Sequence, residues 1–161
     1  MGFDIASALE AAELARALLD SVWAYPIVNA GHVFGIALLV GSIVPMDLRL
    51  LGLWPNTSVA SLWQVLTVTA AAGLVIAVAC GLLLFSTRAT EYLGSKFFIA
   101  KMAVIAIGVI NAATLRWRCN SAWLRSNAHA TAIHLPVRVA AAVSLATWIA
   151  ALVLGRLVGY F

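Results

Sequence analysis

Long apolar runs, each broken by one or two polar positions, dominate the chain from about residue 22 onward. Four of them have around 20 residues, enough at 1.5 Å per residue to cross a hydrocarbon core of ~30 Å. The pattern predicts spans near 22–44, 62–85, 97–115 and 135–158. Helix satisfies every backbone group within its own segment, and lipid demands this, so strands are not competitive. Pro55 and Pro136 suit helix-start regions, and Pro45 suits the exit of the first span.

Residues 1–20 follow another pattern. Glu10, Glu13, Arg16 and Asp20 fall on one helical face, with Phe3, Leu14, Leu18 and Leu19 mostly opposite and Leu9 an exception. This reads as an amphipathic helix lying in the membrane interface, with Asp4 as its N-cap. It has neither the basic start nor the compact apolar stretch of a secretory signal. The expected fold is therefore all-α and integral to the membrane. It is a single domain over 1–161, a four-transmembrane-helix bundle preceded by an amphipathic interfacial helix.

Composition sharpens this picture. The 161 residues are 64% hydrophobic and 10% charged, where a soluble domain carries about 25% charge. Mean hydropathy is +1.03. The net charge of +4 is no sign of nucleic-acid binding, because the arginines cluster beside the spans. Arg116, Arg118, Arg125 and Arg138 flank the third link, which holds no acid. The positive-inside rule then puts that link in the cytoplasm and both termini outside. Arg49 agrees, while Arg88 and Lys96 in the second link weaken the contrast. Cys80 and Cys119 make no metal spacing and are not expected to pair.

The polar residues inside the spans carry the candidate chemistry, because ionisable groups there are costly and face the bundle interior. Tyr25, Asn29 and His32 share one face of the first span. His32 lies about ten residues, ~15 Å, below the outer surface. Lys101 lies about five residues, ~7 Å, below the same surface on the third span, with Gly108 and Asn111 on its face. His32 and Lys101 are thus expected to approach each other in the outer half of the bundle. No acid is placed to neutralise Lys101, so it either loses its proton and ligates a metal or stays charged and holds an anion. The competing reading has His32 bonded to a neighbouring helix and Lys101 reaching back to the interface. His129 and His134 read as surface residues, and "PMDLRLLG" as an anchor pairing Asp47 with Arg49. Stripes of small residues, Gly31 and Gly35, then Thr69, Gly73 and Cys80, then Ser144, Ala151 and Gly155, read as helix-packing faces. No nucleophile elbow, P-loop or dinucleotide fingerprint is present.

The stretches "YPIVNAGHVFGIALLVGSIVPMDLRLLG" and "AAGLVIAVACGLLLFSTRATEYLGSKFFIAKMAVIAIGVIN" resemble a bacterial inner-membrane family of unknown function, over roughly Ser21 to Asn111. More distantly, the layout is similar to the CopD copper-resistance membrane domain and to HemJ-type protoporphyrinogen oxidases. The HemJ resemblance implies b-type haem, with His32 and Lys101 at the positions of that family's early histidine and later lysine. It does not carry that enzyme's activity over, because the aromatic-rich surroundings are missing. Three readings stand open. The first is a haem b protein of redox chemistry or electron transfer, with His32 as axial ligand and Lys101, Asn29, Tyr25 and Asn111 around the cofactor. The second is a CopD-type protein moving copper or a small ion. The third is a non-catalytic subunit of a larger membrane complex or homo-oligomer. Lipid is the partner common to all three.

Overall fold

The computed structural model describes residues 6–7, 10–11, 13–119 and 133–160. Helix α1 covers Glu13–Asp20 and α2 covers Ala24–Leu51; α3 covers Val59–Thr87 and the short α4 covers Ala89–Gly94. Helix α5 covers Lys96–Arg118 and α6 covers Leu135–Leu157. No strand occurs among the described residues. Helices α2, α3, α5 and α6 are long and apolar enough to cross a membrane. The spans expected from hydropathy are therefore present, each with its own end corrections. Asp4, Arg125 and His129 lie outside the described residues, and so does most of the segment before α1.

The largest correction concerns the first span, expected to leave the membrane at Pro45. Helix α2 instead runs through Pro45 to Leu51 and ends at Gly52, whose φ of 114° is left-handed. Gly52 tolerates that backbone because it has no Cβ. The N–H of Leu53 then bonds the Leu48 carbonyl at 3.0 Å, closing the helix end. Arg49 explains why the helix is worth extending. Its side chain is fully buried, with Nε donating to the Thr57 carbonyl at 2.7 Å and Nη2 to the Pro55 carbonyl at 3.1 Å. The guanidinium thereby folds the α2–α3 loop back over the end of α2, where a cation also suits the helix dipole. The Asp47–Arg49 anchor expected from sequence is divided. Arg49 serves the loop, while Asp47 meets Ser144 of α6.

Serine caps start two of the spans: Ser58 accepts from the Ser61 N–H and Ser95 from the Phe98 N–H. Pro136 sits in the first turn of α6, as its missing N–H allows. Helix α2 packs on α3 and on α6, and α6 packs on α5. At the end of the bundle holding the α2–α3 loop, Met46, Leu50, Val59, Trp63, Leu115, Val137 and Ala141 form a dry core. Cys119 is buried in that core, and burial pushes its thiol up to about 11, so it stays protonated and unreactive. Both cysteines are free.

Helices α2 and α3 touch backbone to backbone. A Cβ added at Gly35 would lie 2.5 Å from the Ala77 nitrogen, and one at Gly73 would lie 2.6 Å from the Leu39 nitrogen. Without a hydrophobic drive between helices in lipid, such close approach supplies the association energy through van der Waals contact. The packing role read from the Gly31–Gly35 and Gly73 stripes is thus met by named contacts.

At the opposite end, α1 packs on α2 and α3. Just before it, the Glu10 carboxylate accepts from both the backbone N–H and the hydroxyl of Thr90. These two bonds hold its acid below the ordinary glutamate value of 4.5. A lowered folded-state value means the tie is intact above 4.5 and is lost as pH falls through the lowered value. Glu10→Ala at neutral pH is therefore expected to lower the hydrogen-exchange protection factor of the Thr90 amide while leaving α5 and α6 protected.

Candidate functional site

Helices α3 and α5 do not pack closely against each other; they bridge through the ring of Phe85 on that of Phe98, at 5.5 Å between centroids. Tyr92 of α4 completes this cluster, 6.1 Å from Phe85 and 5.3 Å from Phe98. Between the aromatic cluster and the dry core at the other end, the bundle holds a half-open cavity of about 590 Å³. Pockets of roughly 300–1,000 Å³ hold drug-sized ligands. Along α2 the lining runs from Tyr25 to Val40, fifteen residues or ~22 Å of helix. Its walls are mostly aliphatic and aromatic, with Val40, Leu74, Ile105 and Trp148 deepest along the helices that supply them.

Four residues singled out in the sequence meet here: Tyr25, Asn29, His32 and Lys101 all line the cavity. The fifth, Asn111, does not. Its amide donates to the Ala140 carbonyl at 2.9 Å and so clamps α5 to α6.

His32 is held in a defined way. Its Nδ1 lies 2.7 Å from the Ala77 carbonyl of α3. A carbonyl only accepts, so Nδ1 carries the proton and the neutral ring keeps its lone pair on Nε2. Nε2 has no hydrogen-bond partner among the described residues. Gly81, one turn beyond Ala77, makes room for the ring: a Cβ there would stand 3.0 Å from Cε1 of His32. Small residues at 73, 77 and 81 thus do two jobs, the first seating α2 and the last two seating the imidazole.

Lys101 crosses from α5 to lie on Gly155 of α6, where an added Cβ would be 3.5 Å from its Cε. Its amino group makes no hydrogen bond or ion pair with a described residue, and it lines the same cavity as His32. Tyr92, on α4 outside the spans, lines the aromatic end of the cavity together with Tyr25 of α2. Burial raises the Tyr92 phenol, with Tyr25 and Glu91 adding to the effect and Arg88 opposing it. The cavity is thus an apolar chamber holding one imidazole, one ammonium, an amide and two phenols, and no carboxylate. No cluster of three or more His, Cys, Asp or Glu side chains suited to a metal ion occurs among the described residues.

Tyr92 belongs to "RATEYLGSKFF", which reads from sequence as an interfacial belt and the lip of a site, whereas Phe85, Phe98 and Gly81 are not singled out. The spacing of Gly73, Ala77 and Gly81, each four apart, was the available signal for Gly81. Phe85, Tyr92 and Phe98 carry no such signal, because three elements bring them together. Compared with protein-family models, with curated protein sequences and with solved structures, the chain has no significant match.

Proposed function

We propose that the protein binds haem b in this cavity, with His32 Nε2 as axial ligand, and serves redox chemistry or electron transfer in the bacterial inner membrane. The observation that carries the reading is the Nδ1–H bond from His32 to the Ala77 carbonyl. Ligating histidines are held this way, the second nitrogen fixed by a backbone acceptor so that tautomer and ring plane are set. The surrounding residues fit a flat amphiphile with an acidic edge. The walls are apolar, and Lys101 is the single cation among the lining residues, without an acid to neutralise it. Lys101 would hold an acidic group of the cofactor by charge, or in its neutral form would offer a second nitrogen ligand, and Asn29 and Tyr25 would offer hydrogen bonds toward the outer end. When bound, the group supplies a one-electron couple in a water-poor site. The orientation that goes with this reading has both termini in the periplasm and the arginine-flanked link in the cytoplasm.

The test is the visible spectrum of protein purified in mild detergent from haem-replete cells, oxidised and then reduced. A Soret band that shifts on reduction supports the reading. A colourless preparation overturns it; copper in that preparation would transfer the site to ion handling of the CopD type. A stoichiometric membrane partner together with unimpaired His32→Ala would instead favour the accessory subunit.

A further inference from the structure

The six acidic residues of the chain are Asp4, Glu10, Glu13, Asp20, Asp47 and Glu91. Asp47 alone lies within a span, one turn (~6 Å) from the loop end of α2. Its side chain is only 2% exposed. Met46, Leu50 and Ala141 around it belong to the dry core. The Ser144 hydroxyl of α6 is the polar side chain facing it, and Oδ2 has no hydrogen-bond partner among the described residues.

An ionised carboxylate in this position would be a buried charge with one hydroxyl to solvate it, a costly arrangement in lipid. The charged groups on the packed elements do not relieve it: on α5, whose Leu115 shares the dry core, Arg116 and Arg118 are both exposed. Arg49 on the same helix is turned to the Thr57 and Pro55 carbonyls. Helix α3 carries no Asp, Glu, Lys, Arg or His. On α6, Arg138 lies six residues before Ser144, ~9 Å along the axis, and Arg156 is at the far end. One carboxyl and one hydroxyl are too few oxygens for a sodium or calcium ion, which takes about six or more ligands. A proton is the cation that the site can accommodate. An asparagine would bond Ser144 equally well without any ionisation, so the acid is useful only if its proton matters.

We propose that Asp47 is a proton-binding site of the bundle, its carboxylic acid bonded to Ser144 and exchanging its proton with the aqueous face beside the α2–α3 loop. The site is separate from the haem reading: Asp47 does not line the cavity, whose lining on α2 stops at Val40. Loss of the proton places a charge in the α2–α6 seam, so the packing of these two helices becomes sensitive to pH on that side of the membrane.

Infrared spectroscopy of the full chain in lipid bilayers tests this directly. The wild type is expected to show a protonated-carboxyl band in neutral buffer that moves in deuterium oxide and disappears reversibly on alkalinisation. Asp47→Asn should lose the band, and Ser144→Ala should shift it by removing its hydrogen bond. The wild type's Tm should fall from mildly acidic to alkaline buffer more steeply than that of Asp47→Asn. A spectrum with no such band at any pH at which the protein is folded overturns the proposal. So does a band that persists unchanged to the alkaline limit of folding. Both readouts use the wild-type chain, and a misfolded Asp47→Asn leaves Ser144→Ala to assign the band.

Discussion

His32→Ala is expected to abolish the Soret band of the purified protein while leaving the helical bundle assembled. The fold should survive because the imidazole contributes one interhelical hydrogen bond, 2.7 Å to Ala77. Such bonds within membranes contribute about 0.6 kcal/mol on average. Cofactor loss should be complete because no other histidine lies at this depth: among the described residues, His134 is exposed at the start of α6. Exogenous imidazole should restore the spectrum in His32→Ala by filling the space left beside Gly81. His32→Gln gives the sharper comparison, since an amide N–H can still donate to Ala77 without offering an imidazole nitrogen to a metal. A purely clamping histidine predicts that glutamine keeps the wild-type spectrum; a ligand predicts that it is lost. Gly81→Ala acts one step away. Its methyl would stand 3.0 Å from the ring, and displacing the groups that orient a metal-binding histidine typically weakens metal binding about 10–100-fold. Spectral titration with haem would measure all three variants on one scale.

The same residues show what was legible before any coordinates. Hydropathy gave four spans because lipid allows only helix, and the helical phase then placed Tyr25, Asn29 and His32 on one inward face. Depth counting along two helices that both enter from the outer surface is enough to bring Lys101 to the same chamber. Asn111 satisfied the identical phase argument yet serves α6 instead. A face tells which way a residue points but not which neighbour it finds. Arg49 reads from sequence as an anchor paired with Asp47, because arginine near a membrane end usually is a topological anchor. Its burial depends on loop carbonyls six and eight residues later, and no periodicity encodes them. Pro45 was read as an exit because proline breaks helices in water. Within a bundle the freed backbone group is tolerated, and the helix continues.

The α2–α3 crossing carries the largest expected effect on folding. Gly35→Ala puts a methyl 2.5 Å from the Ala77 nitrogen, 2.9 Å from the Gly73 oxygen and 3.0 Å from the Ala77 Cα. All three are backbone atoms of α3, so no side chain can swing away, and the helices must separate. Overpacking a well-filled core costs about 1–3 kcal/mol, and a clash confined to backbone belongs at the upper end. Gly73→Ala should behave alike, with its methyl 2.7 Å from the Gly35 oxygen. Gly41→Ala, on the same helix as Gly35, is the matched control. Nothing lies within 4 Å of its added Cβ, and alanine is favoured over glycine in a helix interior by roughly 0.5–1 kcal/mol. Thermal denaturation in detergent should therefore rank Gly41→Ala at or above wild type, and Gly35→Ala and Gly73→Ala well below it. Separation of α2 from α3 also pulls His32 off Ala77, because both contacts lie on the same pair of helices. A Gly35→Ala protein that keeps wild-type stability would mean that α2 and α3 do not cross at these glycines. The seat of the imidazole on α3 would then have to be redrawn with it.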